Sequence, residues 1–160
     1  MVTNPLVSGV DQPGALEAPR EYCGLCGATG SESVLEHVHL GLHALQHRGQ
    51  EAAGIMLAAD GVCHLHRGVG LVDDVFGKLP ESMTGLPAER AIGHVRYSTA
   101  GGSSVINAQP LVVDMAGQRV GIAHNGTICN ARTLRHELQQ EGAIFQTTSD
   151  TEIVLHLMAR

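Results

Sequence analysis

The chain has 160 residues, 43% of them hydrophobic and 16% charged, with a formal net charge of −6. That size and balance predict one folded domain with a real core. An acidic chain with two tyrosines, two phenylalanines and no tryptophan offers neither a basic face for phosphates nor rings for base stacking, which argues against a nucleic acid partner. The longest apolar run in the middle of the chain, Ile55 to Ala59, is too short to cross a bilayer, and the N-terminus lacks the basic and apolar regions of a signal peptide. No membrane partner and a cytoplasmic location are expected. There Cys23, Cys26, Cys63 and Cys129 read as thiols, ligands or nucleophiles rather than a disulfide framework.

In chain order, residues 1–21 carry Pro5, Gly9, Pro13, Gly14 and Pro19 without a sustained period, the composition of a flexible leader. Val34, Val38, Leu42 and Leu45 then fall at helical spacing and predict an amphipathic helix to about His47, weakened by Gly41 and stopped by Gly49. Ala52 to Ala59 and Val62 to His66 read as strands joined at Asp60-Gly61, a dipeptide suited to a tight hairpin. A short helical piece is expected over Leu71 to Gly77. Further strands are expected at Ala91 to Tyr97, Leu111 to Met115 and Arg119 to His124, with a Gly/Ser-rich loop at Ala100 to Ser104. Asn125-Gly126 reads locally as a type I′ hairpin turn. Asn130 is placed to cap a helix over Ala131 to about Gly142, and Ser149 with Glu152 predicts a capping box opening a last helix. Strands in runs flanked by helices predict an α+β layered fold. The apolar-periodic run is still unfinished at Arg160, as expected of a piece cut from a longer protein.

The junction at Tyr22-Cys23-Gly24-Leu25-Cys26 carries three readings. Cys23-x2-Cys26 followed by His43-x3-His47 resembles a zinc ligand set, so a zinc-binding module is one alternative. Cys-Gly-Leu-Cys also matches a redox pair, but that motif needs a preceding strand and a helix opening at the first cysteine. In the third reading, cleavage of the leader leaves a cysteine carrying a thiol and an α-amine. That amine, with a pKa of about 7.7 to 8.0, is a competent base near neutrality. An ordinary structural thiol is the plain rival to all three.

Five blocks bear on the choice: CGLCG (23–27), HALQHRGQEAAGI (43–55), AIGHVRYSTAGG (91–102), GIAHNGTICNA (121–131) and FQTTSDTEI (145–153). In that order they resemble the glutaminase domain of the amidophosphoribosyltransferase family, and the resemblance runs from Cys23 to nearly Arg160. It implies a class II glutamine amidotransferase of the N-terminal-nucleophile hydrolase fold, an αββα sandwich incomplete at its C-terminus. The implied activity is hydrolysis of glutamine, supplying ammonia for 5-phosphoribosylamine formation from PRPP in purine biosynthesis. Glutamine would be the partner here and PRPP that of a domain absent from this chain.

The same resemblance assigns residues. Residues 1–22 become a propeptide, and residues 23–160 the first part of the domain. Cys23 becomes the nucleophile, with its own α-amine as base, and Asn125 and Gly126 the oxyanion hole. Arg96 is implied to clamp the substrate α-carboxylate, Thr99 to add a hydroxyl, Asp150 to meet the α-ammonium, and Arg48 to stand near the entrance. Tyr22 departs from the acidic residue usual before the cleavage point, and Cys26 replaces a bulky apolar residue, placing a second oxidisable thiol near the first. No metal or cofactor is expected in these residues. Mg and a [4Fe-4S] cluster are expected only in a full-length parent, itself a homo-oligomer. An inactive truncated fragment is the remaining alternative.

Overall fold

A computed structural model describes residues 23–30, 33–97 and 104–160. The leader, Thr99 and all but Ser104 of the expected Gly/Ser-rich loop lie outside the described residues. The elements are β1 (Gly24–Thr29), α1 (Val34–Ala44), a 3₁₀ turn (Gln46–Arg48), β2 (Ala52–Ala59), β3 (Val62–Val69), α2 (Val72–Phe76), β4 (Arg90–Arg96), a second 3₁₀ turn (Val105–Asn107), β5 (Leu111–Met115), β6 (Gln118–Ile122), α3 (Ala131–Gln140) and α4 (Thr151–Met158). Antiparallel pairing in the order β1-β4-β2-β3 builds one sheet, and β5 and β6 build another.

Register decides which side chains share a face. Val95 pairs with Ala53, Gly93 with Ile55 and Ala91 with Leu57. These form the face covered by Val34, Val38 and Leu42 of α1 and by Val72, Val75 and Phe76 of α2. Successive strand residues alternate faces, so Gly54, Met56, Ile92, His94 and Arg96 point the other way. The second sheet lies on that side, where Met56 packs against Gly121 of β6. Helix α4 contacts β5 and α3 contacts α4, completing an outer helical layer. The layers therefore run helix, sheet, sheet, helix, as the αββα expectation required.

Both hairpins turn through residues at positive φ: Asp60 (49°) with Gly61 (75°), and Ala116 (51°) with Gly117 (77°). The first was legible as Asp-Gly; the second carries alanine, which gives no such signal. β1 was not anticipated, because a Gly-Leu-Cys-Gly-Ala-Thr run is poor in β-formers and its strand is made by pairing with β4. Gly41 has a packing role in α1: a Cβ there would lie 2.4 Å from Sγ of Cys26, so the glycine opens the seat for that thiol.

Three local expectations differ from the structure. α1 stops at Ala44, and the chain tightens into the 3₁₀ turn, where Gln46 donates to the Gly49 carbonyl and accepts from Val72 N–H at 2.7 Å. Asn130 occupies the N-cap position of α3 but its side chain makes no capping bond. The Ser149/Glu152 box does not form. The N-cap of α4 is Asp150, and the buried Glu152 carboxylate accepts from Gln146 N–H, Thr147 N–H and Thr147 Oγ1, each at 2.8 Å. Three donors in the preceding loop compensate a buried carboxylate better than one helix-end amide does.

Candidate active site

Cys23 stands half-buried just before β1, beside the end of β4. Its Sγ accepts from Tyr97 N–H at 3.4 Å and lies 3.6 Å from the Tyr97 carbonyl. Arg48 Nε donates to the Cys23 carbonyl at 3.3 Å, which puts this arginine on the backbone of the cysteine itself. Between Arg48 and β2 the chain crosses over β4 so tightly that a Cβ on Gly49 would lie 2.7 Å from the carbonyl carbons of Val95 and Arg96. Only glycine permits that approach. Glu51 N–H donates to the Arg96 carbonyl at 3.2 Å.

Arg96, at the last position of β4, keeps 17% of its side chain exposed. Among the described residues its Nη1 is buried without a hydrogen bond and lies 3.9 Å from Oε2 of Glu51, which also makes none there. A buried guanidinium nitrogen short of a hydrogen bond costs free energy, which the Glu51 carboxylate at 3.9 Å offsets only in part. Glu51 carried no signal in the sequence.

Asn125, Gly126 and Asp150 form a second group. Asn125 and Gly126 sit exposed in the loop between β6 and α3, where no strand follows, so the type I′ hairpin expected at this dipeptide is absent. Gly126 has φ 154°, and a Cβ there would lie 2.9 Å from Nε2 of the His124 ring. Asp150 does not cap its own helix; its Oδ2 accepts from Ile128 N–H at 2.7 Å and so ties the Asn125 loop to α4. Among the described residues no hydrogen bond joins this group directly to the Cys23 thiol. His94, which pairs in register with Gly54, is close enough to both the Arg96 guanidinium and His124 to be influenced by each.

His94 is fully buried, and among the described residues its ring nitrogens make no hydrogen bond of good geometry, although the His124 backbone is close enough to act on the ring. Burial holds its pKa down to about 4; the His124 backbone opposes that shift, while the Arg96 guanidinium and the His124 ring reinforce it. The imidazole is therefore neutral at pH 7. In the unfolded chain it would titrate near 6.5. Between about pH 6.5 and pH 4 the unfolded state binds a proton that the native state refuses, so stability is lost as pH falls through that window. The expected loss approaches roughly 3 kcal/mol at the acid end. Urea unfolding across this range should show a slope that His94→Leu flattens, and identical slopes in both proteins would contradict the assignment.

The zinc reading fails on direction. Cys23 faces the Tyr97 backbone and Cys26 packs on α1. His43 Nε2 lies 3.5 Å from Asp73, and His47 Nδ1 lies 3.1 Å from the Ala44 carbonyl. Cys23 stands just before β1, while Cys26 lies within it and is seated against Gly41 of α1. All four cysteines are free, and among the described residues no three His, Cys, Asp or Glu side chains are grouped to hold a metal. These residues do not fit an iron–sulfur cluster or a Mg site. Among the described residues no helix is long and apolar enough to cross a membrane.

Comparison with known proteins bears on the same residues. Residues 94–160 match the profile of a family described as a glutamine amidotransferase domain. The chloroplastic amidophosphoribosyltransferase of Vigna aconitifolia is 52% identical over 143 residues, covering 89% of this chain and 29% of that protein. The chain thus spans well under a third of the plant relative. The amidophosphoribosyltransferase of Lacticaseibacillus casei is 48% identical over 141 residues, covering 88% of this chain and 72% of that protein. A solved glutamine PRPP amidotransferase from B. subtilis, complexed with ADP and GMP, superposes with a TM-score of 0.77 at 40% identity, covering 85% of this chain and 29% of that one. With the αββα layers and this degree of identity, the chain belongs to the amidophosphoribosyltransferase family of enzymes and carries a glutamine amidotransferase domain.

Proposed function

We propose that this chain performs the glutaminase half-reaction, releasing ammonia from glutamine through a covalent intermediate on Cys23. The observation that carries the reading is the Arg96 guanidinium, largely buried with a donor free, one residue from the Tyr97 backbone that holds the Cys23 thiol. An anion receptor beside a nucleophile suits an amino-acid substrate whose α-carboxylate must be held while its side-chain amide is attacked. Removal of residues 1–22 would free the Cys23 α-amine, which takes the thiol proton. The thiolate then adds to the amide carbon, and the C–N bond breaks with the proton passed to the leaving ammonia. Water cleaves the thioester to glutamate and regenerates the thiol.

In this scheme Asn125 (side chain) and Gly126 (N–H) stabilise the developing oxyanion, worth about 3 to 4 kcal/mol per donor in comparable acyl transfers. Asp150 meets the α-ammonium with the carboxylate oxygen not used by Ile128. Thr99 adds a hydroxyl to the carboxylate site, and Arg48 steadies the nucleophile from its carbonyl side. Residues 1–22 are the propeptide and residues 23–160 the first part of the amidotransferase domain.

The ammonia is proposed to serve 5-phosphoribosylamine formation from PRPP in the purine pathway, in a homo-oligomeric parent enzyme. A cytoplasmic location belongs to the same proposal and is supported by the four free cysteines of the structure. The test is glutamate release from glutamine by the purified chain, combined with its intact mass. The expected result is activity in protein beginning at Cys23. Full activity with Met1 still attached would rule out the terminal-nucleophile mechanism, and inert, folded protein beginning at Cys23 would overturn the glutaminase reading.

A further inference from the structure

Gln109 enters neither the sequence reading nor the reaction above, yet its side chain touches both ends of the second site group. Its Oε1 accepts from His124 N–H at 2.6 Å, and its Nε2 donates to Thr151 Oγ1 at 3.1 Å. Thr151 Oγ1 lies 3.3 Å from His124 Nδ1. Gln109, His124 and Thr151 thus close a ring of three contacts, with Nε2 of the imidazole turned toward Gly126. His124 immediately precedes Asn125, and Thr151 immediately follows Asp150. Gln109 and Thr151 are both buried, so the ring is shielded from competing water.

The backbone that presents Gln109 is held as well. Arg67 of β3 donates to the Ala108 carbonyl at 2.6 Å and to the Pro110 carbonyl at 3.4 Å, one on each side. The Gln109 carbonyl sits directly over Gly54, where a Cβ would lie 2.3 Å away. The side chain therefore projects from a fixed segment on the first sheet to a loop and a helix start on the second.

We propose that Gln109 is a positioning residue, which sets the Asn125-Gly126 loop against the start of α4 by bonding His124 and Thr151 at once. The inference deepens the glutaminase reading, on which the roles of Asn125, Gly126 and Asp150 rest. A group that acts only through placement of oxyanion donors should affect the chemical step more than substrate binding.

The test compares Gln109→Met, which keeps the volume and removes both polar atoms, with Gln109→Glu, which keeps the acceptor for His124 N–H. Amide hydrogen exchange and glutamine kinetics are read on both and on the unsubstituted chain. In Gln109→Met, exchange over residues 124–126 should quicken by about tenfold or more while α1 and β2 stay protected, and kcat should fall on the order of 10²-fold with KM little changed. Gln109→Glu should recover part of both. Unchanged exchange at residues 124–126, loss of protection throughout the chain in both variants, or a rise in KM with kcat intact would each overturn the proposal. The exchange readout needs no turnover. An unsubstituted chain that releases no glutamate therefore counts against the glutaminase reading, while exchange still decides whether Gln109 holds the loop.

Discussion

Replacing Cys23 with alanine is expected to remove glutamine hydrolysis, by about 10⁴-fold or more, with little change in stability. Deleting a covalent nucleophile removes the whole pathway and leaves only what binding and oxyanion donors can do for water. The stability side follows from the contacts. The thiol is half-buried, and its bonds to Tyr97 N–H and carbonyl are long, at 3.4 and 3.6 Å. Losing them should cost within about 1 kcal/mol. Glutamate release and urea midpoints measured on the same preparation check both halves. Substantial residual turnover would remove Cys23 from the reaction. In a longer enzyme carrying this domain, ammonia-dependent synthesis should survive the substitution while glutamine-dependent synthesis disappears, because ammonia supplied from outside bypasses the thioester. A chain kept uncut between Tyr22 and Cys23 should be as silent as Cys23→Ala, since an amide nitrogen cannot accept the thiol proton.

Arg96→Ala is expected to lower kcat/KM for glutamine by about 10² to 10³-fold. That corresponds to roughly 3 to 4 kcal/mol for losing a two-point, charge-assisted grip on a carboxylate in a largely buried site. Arg96→Lys should recover only part of it, because an ammonium keeps the charge and loses the planar fork. The alanine variant should also be less stable. Glu51 Oε2 is buried 3.9 Å from Nη1, and removing the guanidinium leaves that carboxylate without a counter-charge. The two effects separate with an amide substrate that lacks the α-carboxylate. If Arg96 grips that group, the alanine penalty vanishes for such a substrate. A penalty of equal size for both substrates would make Arg96 a structural partner of Glu51 and nothing more.

Much of the layer plan was legible from short-range patterns. The spacing of Val34, Val38 and Leu42 is a helix stripe, the Asp60-Gly61 pair is a hairpin, and the structure has both. The failures share a cause. β1 has almost no intrinsic strand preference and exists because β4 offers it a partner. Glu152 was read as half of a capping box, but its carboxylate is turned to the loop donors at Gln146 and Thr147. The Asn125-Gly126 dipeptide is a hairpin turn in isolation and a loop here, since no strand returns beside β6. In each case a contact distant in sequence or a competing donor outweighed a local preference of about 1 kcal/mol.

Family membership was legible in five ordered blocks, and the same blocks nominate Cys23, Arg48, Arg96, Asn125, Gly126 and Asp150 as the proposed site, because residue identity along a chain is what a sequence records. The supporting residues could not. Glu51, His94, Gln109, His124 and Thr151 are ordinary residues whose significance lies in burial and in who faces whom, and that is decided only when two sheets pack. Strand register put His94 and Arg96 on the inter-sheet face. The pinned turn at Ala108 to Pro110 aimed one carboxamide at both His124 and Thr151. Such alignments join positions far apart in the chain, and hydrogen bonds hold them only at separations near 3 Å. No one-dimensional pattern encodes that distance, so it was left to the tertiary structure to decide.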